Sequence, residues 1–307
     1  MHNNLKRTLL FTHAGCLDGS AAAILFRHAG GDKTNIRFVP AGYVDDALQD
    51  NNSFMSTSRF VLCVDVAPST EQVARYIQAR ENTYVIDHHA SAAKWANTPG
   101  FVIDVNNSAC GSELFRRWLV YHGHKKFEHE AWIRFTKLID DHDRWQQNYP
   151  FSMEMPKFFS FVGQTEFIDR FMNVESRFKE EKDSYWDKFE KDMMFLISRE
   201  QDRRFTVLMD RFTVVDREHN GKKFKMGYVV SSEINCSELL NTYLIQHPDI
   251  DVACQVNVDL NKISLRSNDK VNMTEYSGRY GGGGHKNAAG HPLPDNLVAS
   301  IAGLIHG

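Results

Sequence analysis

No apolar run in this sequence approaches the roughly 20 residues of a membrane-spanning helix, because charges interrupt every candidate. There is no CxxC pair. The five cysteines, Cys16, Cys63, Cys110, Cys236 and Cys254, are scattered and odd in number. That pattern excludes a zinc ribbon or a disulfide scaffold and suits reduced thiols. Nor is there an excess of positive charge: 36 Lys and Arg stand against 39 Asp and Glu, a net charge of −3. Such a balance argues against a nucleic-acid coat protein, which needs a broad basic surface, but leaves room for a small basic phosphate pocket. Internal repeats and low-complexity linkers are absent. The opening MHNNLKRTLLFTHAG has a basic pair and too short an apolar stretch for a secretory leader. It reads as a first strand, and the expected location is cytoplasmic.

What is present is an ordinary globular composition, 42% hydrophobic and 24% charged. The length of 307 residues exceeds the roughly 250–300 at which single cores stop growing, so two domains are expected. In the N-terminal half, strand-like runs at 8–12 (TLLFT), 36–40, 60–66 (FVLCVDV), 83–86 (TYVI) and 101–104 alternate with helical stretches at 20–28 and 70–80. Strands separated by helix-length segments predict a mostly parallel sheet with helices on its faces. From 112 to about 145 the pattern turns helical. Residues 150–204 are rich in Phe, Met, Lys and Glu, with apolar positions three and four apart. We read them as amphipathic packing helices; a membrane-surface helix would need a basic rather than a mixed polar face. Then follow a hairpin with Asn220–Gly221 at its turn, a helix near 237–246 and strands at 252–260 and 262–267. A glycine-rich stretch closes the pattern.

Four His and Asp clusters fall at strand ends or in the helical segment after them, where open α/β sheets place ligands. In FTHAGCLDGSAAA a strand runs into His13, then Asp18, then a small-residue helix start. This suits a cation and a phosphate together, although Asp18 alone reads equally as a helix cap. In FVLCVDVAPS, Asp65 ends an apolar strand, where an unpaired carboxylate is unwelcome. TYVIDHHAS delivers Asp87, His88 and His89 in succession, which packing needs rarely explain. KLIDDHDRW places Asp140, Asp141 and Asp143 around His142, and by itself it reads as a charged surface turn. Mixed imidazole and carboxylate donors favour Mn²⁺ over Ca²⁺ or a thiolate-preferring ion. Two such ions roughly 4 Å apart would share Asp65, ionise a water and stabilise a leaving oxygen, which is phosphoester hydrolysis.

A fifth element is GGGGHKNAAG at 281–290, preceded by Arg266 in KISLRS. Consecutive glycines bring backbone N–H groups close to an anion, and Arg266 offers a bidentate phosphate partner. With His285 and Lys286 alongside, the run predicts substrate binding.

VIDHHAS resembles the signature of the DHH phosphoesterase superfamily, and GGGGHKNAAG is similar to the glycine-rich motif of its DHHA1 domain. The order of His13, Asp18, Asp65, Asp87–His89 and Asp141 follows the family's motifs over nearly the whole chain. HAGCLDGSAAA most resembles the branch of nanoRNase B-like and cyclic-nucleotide phosphodiesterase-like proteins. The resemblance implies an α/β protein: a parallel-sheet DHH domain at 1–149, a helical connection at 150–204, and a smaller α/β DHHA1 domain at 205–307, with a substrate cleft between the domains. It implies a pair of divalent ions, usually Mn²⁺, with Mg²⁺ or another divalent metal as alternatives. His13, Asp18, Asp65, His88 and Asp141 would be the ligands, with Asp143 as the alternative to Asp141. Asp87 would orient His88, and His89 would sit near the scissile phosphate. Arg266, Gly282, Gly283, Gly284, His285 and Lys286 would hold the substrate. Cys16 departs from the pattern, since many relatives carry an aspartate there. It reads either as a soft thiolate ligand or as a small turn residue, and the turn residue is the expectation.

The expected activity is hydrolysis of linear dinucleotides such as pGpG and pApA and of nanoRNA to mononucleotides. The length leaves no spare domain for long nucleic acid, no membrane partner is expected, and a homodimer is compatible. Alternatives are a cyclic mono- or dinucleotide phosphodiesterase, a nucleoside-bisphosphate phosphatase, or a nucleotide-binding sensor without turnover. Inorganic pyrophosphatase fits less well, since those relatives carry a different C-terminal domain.

Overall fold

The computed structural model describes residues 5–294, apart from 41–42, 59, 107 and 234. The chain divides into two compact units, Met1–Met194 and Phe195–Gly307.

The first unit is built on five parallel strands: β1 (Thr8–His13), β2 (Ile36–Val39), β3 (Phe60–Val64), β4 (Thr83–Asp87) and β5 (Phe101–Ile103). Their spatial order is β2-β1-β3-β4-β5. Strands covered on both faces need apolar side chains on both, which explains continuous runs such as FVLCV in place of alternation. On one face Leu9, Phe11, Val61, Cys63 and Val85 pack with α2 (Val44–Asp50), α3 (Asn52–Thr57) and α4 (Glu71–Gln78). Thr70 starts α4 by accepting a hydrogen bond from the amide of Val73. Buried Asp45 in turn accepts bonds from the amides and hydroxyls of both Ser69 and Thr70.

Against the sheet lie α1 (Leu17–His28) and α5 (Gly111–Tyr121), with α6 (Glu130–Asp143) and the kinked α7 (Pro150–Phe171) packed on α1. The small residues of GSAAA let α1 sit close: a Cβ at Gly19 would lie 2.2 Å from the carbonyl oxygen of His13. Gly163 breaks α7 into two pieces, with φ 79° and ψ 167°. Short α8 (Val174–Arg177) follows. The Phe-rich stretch is an aromatic core, in which Phe135, Phe151, Phe158, Phe167, Phe171 and Phe178 are fully buried. At roughly 1.5–3 kcal/mol per buried large side chain, this cluster is the main reason the segment folds onto the sheet domain.

The unit boundary falls within α9 (Lys188–Met209). The second unit has a six-stranded sheet of β6 (Thr213–His219), β7 (Lys222–Val230), β8 (Val252–Asn257), β9 (Lys262–Ser267), β10 (Gly283–His285) and β11 (Ala288–Pro292). Its order is β10-β11-β9-β8-β7-β6, and only β7 and β8 pair in parallel. The β6–β7 turn is Asn220–Gly221, both with positive φ, as its sequence predicts. One core joins Met226, Cys254, Leu265 and Ala289 with α11 (Met273–Gly278). The other side is covered by α10 (Cys236–Gln246), through Leu239, Leu240 and Tyr243. The glycine run is not one open loop, because Gly283–His285 and Ala288–Pro292 pair as strands. No helix among the described residues is long and apolar enough to cross a membrane.

Candidate metal centre

β1, β3 and β4 end level with one another: Thr12 pairs with Val64, and Val64 with Ile86. His13, Asp65 and Asp87 therefore leave the carboxyl edge together, at the switch point where the chain has placed β2 and β3 on opposite sides of β1. Asp65 takes a φ of 60°, a left-handed conformation uncommon outside glycine. Strain of this kind in a buried aspartate is characteristic of functional positions.

The result is a buried centre with Asp65 in the middle. Its Oδ2 lies 3.5 Å from His13 Nδ1 and 3.2 Å from Cys16 Sγ. Its Oδ1 lies 3.4 Å from His88 Nε2 and 3.7 Å from His89 Nδ1. His88 Nε2 is also 3.3 Å from Asp143 Oδ2 and 3.9 Å from Asp18 Oδ2. Three overlapping donor groups result, each spanning no more than 4.8 Å: His13, Cys16 and Asp65; Asp18, His88 and Asp143; and Asp65, Asp87, His88 and His89. Asp18, Asp65 and His88 are buried, whereas His13, His89 and Asp143 are 24%, 28% and 27% exposed and form the open rim.

Two placements differ from the sequence-based expectation. Asp141 does not reach the centre. Its carboxylate accepts bonds from the amide and side chain of Asn148, the amide of Tyr149 and the hydroxyl of Ser152, so it fastens the turn that follows α6. Asp143, two residues on, is the one beside His88. Likewise Asp87 does not bond the ring of His88. Its Oδ1 accepts from the His88 amide at 2.8 Å and from the His89 ring, Nδ1, at 2.7 Å, because the chain folds back over the strand end.

Other supports carry weaker signals in the sequence. The amides of Gly111 and Ser112, at the N-terminus of α5, donate to Asp18 at 2.7 and 2.9 Å. Gly111 has no room for a side chain, since a Cβ would lie 2.8 Å from that of Asp65. A Gly-Ser pair at a helix start is a legible anion-holding signal. Gln164 bonds the amide of Gly15, the carbonyl of His13 and the hydroxyl of Ser20, and so fixes the first turn. Nothing in its sequence context marks it.

The electrostatics are those of crowded carboxylates. Burial, then the charges of Asp65 and Asp143, push Asp18 up to about 8. Asp143 is raised too, by burial first. Burial also opposes the charge on Asp65, but the rings of His13 and His88 outweigh it and hold that carboxyl well below its usual range. Burial works against a proton on His88, yet Asp65, Asp143 and Asp18 raise it to about 11, which makes its ring the local counter-ion. His89 is raised to about 9, with Asp87 overcoming burial. Burial, followed by Asp65 and Asp18, pushes the Cys16 thiol well above its ordinary value.

These residues fit divalent cations. Asp65 Oδ1 and Asp143 Oδ2 are buried and accept no hydrogen bond among the described residues. Unpaired buried carboxylate oxygens are costly, and a cation among them removes that cost.

In the second unit, pairing aligns Ala253, Arg266, Ala288 and His285 in one row across β8, β9, β11 and β10. Arg266 and His285 thus share a face with only Ala288 between them, roughly 10 Å apart at the usual strand spacing. Arg266 is bonded to the Ser237 hydroxyl and, at 2.8 Å, to the Leu265 carbonyl. Lys286 is exposed and pairs with Asp269 at 2.9 Å. Gly282 and Gly284 serve the hairpin: a Cβ would meet Gly290 O at 2.1 Å and Ala288 O at 2.4 Å, respectively, whereas Gly283 faces open space.

No family model matches the chain. Oligoribonuclease NrnB of Bacillus subtilis (strain 168) is 25% identical over 308 residues, covering 94% of this chain and 73% of that protein. The DHH domain of a member of a ribosomal-protein family aligns with a TM-score of 0.59 at 11% identity, over 97% of this chain and 86% of its own. Exonuclease RecJ bound to manganese aligns with a TM-score of 0.51 at 12% identity, over 97% and 88%. The sequence relative spans both units, the structural ones share their architecture, and the DHH string stands at the carboxyl edge of β4. Over nearly its whole length the chain is similar to an oligoribonuclease, and its fold is that of DHH-domain proteins.

Proposed function

We propose that this protein is a metal-dependent phosphodiesterase that cuts linear dinucleotides such as pGpG and pApA, and nanoRNA, to mononucleotides. The observation that carries the reading is Asp65, whose two carboxylate oxygens face different donor groups, as a carboxylate shared by two cations must. His13 and Asp65 would hold one ion, and Asp18, Asp65, His88 and Asp143 the other. Mn²⁺ is the proposed metal: the mixed donors suit it, and it is the ion bound by the RecJ neighbour. Such cations would lower the pKa of the attacking water and offset charge on the leaving oxygen. The chain's own residues do the rest. Asp87 orients His89, and His89, on the open rim, hydrogen-bonds the scissile phosphate and supplies a proton to the departing oxygen. Arg266, Gly283, His285 and Lys286 take another phosphate of the substrate. A net charge of −3 offers long strands no basic track, and the curated relative is itself named an oligoribonuclease.

The test is a panel with Mn²⁺: pGpG, cyclic di-GMP, pAp, a five-residue RNA and a twenty-residue RNA. Turnover of pGpG should be fastest, should fall steeply beyond five residues, and should vanish with EDTA and return with Mn²⁺. Equal rates on the dinucleotide and the twenty-residue RNA would defeat the short-substrate reading. Hydrolysis of cyclic di-GMP or pAp alone would replace the proposed substrate. Full activity after exhaustive chelation would end the metal mechanism.

A further inference from the structure

Cys16 has no task in the chemistry above, yet its sulfur is placed inside the centre. It starts α1 in an extended conformation, φ −129° and ψ 158°, and its Sγ accepts the Gly19 amide at 3.1 Å. A cap needs no more than that. The same Sγ, however, lies 3.2 Å from Asp65 Oδ2, on the oxygen that also faces His13. Sulfur, imidazole and carboxylate lie within 4.8 Å of one another. The second observation is the state of Asp65: it is 2% exposed, its Oδ2 faces Cys16 and His13, and its Oδ1 faces His88, buried without a hydrogen bond among the described residues. The two sides are also unequal. Beyond Asp65 itself, the His88 side has two carboxylates, Asp18 and Asp143, while the His13 side has only Cys16 among the described residues.

We infer that Cys16, as a thiolate, ligates the ion on the His13 side of Asp65, so that the two ion sites differ in chemistry. The inference rests on the proposed metal-dependent reading. On binding, the thiol gives its proton to water and the sulfur forms the bond to the metal. The His13 side then takes softer ions such as Zn²⁺ or Co²⁺ more readily than Mn²⁺, while the His88 side, with nitrogen and oxygen donors alone, keeps the harder preference. The rival is a neutral thiol that merely donates a hydrogen bond to Asp65.

Cobalt substitution separates the two. The full chain, stripped of metal and loaded with Co²⁺, should show the visible bands of bound cobalt and a near-ultraviolet sulfur-to-cobalt charge-transfer band. Cys16→Ser should keep the visible bands and lose the charge-transfer band. Visible bands without charge transfer in the wild type would overturn the ligand assignment and leave the metal-dependent reading standing, and so would a band that survives Cys16→Ser. No bound cobalt in equilibrium dialysis would overturn both. Cys16→Asp, which preserves a helix cap should the serine variant misfold, should also lack the band. It should shift the ratio of Zn²⁺ to Mn²⁺ dissociation constants at least tenfold toward Mn²⁺, and an unchanged ratio would overturn the inference.

Discussion

The side chains that converge in the first unit come from four separate segments, between His13 and Asp143, whereas Arg266 and His285 of the second unit lie on β9 and β10 of one sheet, with Lys286 in the turn after β10. The first group is largely buried, and two of its carboxylate oxygens lack hydrogen bonds among the described residues. The second is already satisfied: Arg266 is bonded to Ser237 and Lys286 to Asp269. A centre of crowded carboxylates with two oxygens lacking hydrogen bonds suits an added cation, and loss of its shared carboxylate should be catastrophic for turnover. A row that is already hydrogen-bonded can only exchange partners with a ligand, so its loss should be graded.

The sharpest way to break that contrast is Asp65→Ala. It should lower kcat by at least a thousandfold, about 4 kcal/mol by the rate relation, and reduce bound metal from two ions to at most one. A drop of less than tenfold would mean that Asp65 does not serve two ions. Arg266→Ala should raise KM for a dinucleotide by about 10- to 150-fold, the loss of one charged hydrogen bond of roughly 1.5–3 kcal/mol, and leave metal stoichiometry unchanged. Lys286→Ala, at an exposed pair, should change KM by less than fivefold, or about 1 kcal/mol at most. Equal effects of these two substitutions would remove the reason for singling out Arg266.

Asp141 and Asp143 sharpen the comparison within the first unit. Asp143→Ala should weaken metal binding in calorimetric titration and barely move Tm. Asp141→Ala should do the reverse and cost roughly 1.5–3 kcal/mol of stability, because the Asn148, Tyr149 and Ser152 donors lose a charged acceptor. The smallest effect is a pH dependence away from the centre. Burial opposes the charge of Glu113, but Arg116 and Thr136 outweigh it and lower its pKa. A lowered folded-state pKa means that stability is present above the ordinary value of 4.5 and is lost as pH falls through the folded value. The Tm difference between wild type and Glu113→Gln should therefore shrink below about pH 4.5. A difference that stays constant down to pH 3 would contradict this.

Strand positions in the first unit were legible to within a residue or two, because each is a short apolar run closed by a polar turn. The hairpin at Asn220–Gly221 was equally clear from its turn pair. Helices α2 and α3 were missed, their apolar positions being too few to show a period. The strands within the glycine-rich stretch were not legible, because strand pairing of Gly283–His285 depends on the partner strand rather than on local propensity.

The sequence by itself determined which donor side chains gather, since His13, Asp18, Asp65, Asp87, His88 and His89 follow apolar strands or open the next helix, and those strand ends meet at one sheet edge. Which atoms meet there was decided only by the tertiary structure. Asp141 and Asp143 are near neighbours in the chain, but two residues of an α-helix are about 200° apart around its axis, so only one of them can face the centre. The same holds for Asp87, which turns to His89 rather than His88, and for Cys16, whose sulfur meets Asp65 across 49 residues of chain. Patterning records where a side chain leaves the backbone. Its direction depends on the φ of a single residue, such as the 60° of Asp65, and on what packs behind it.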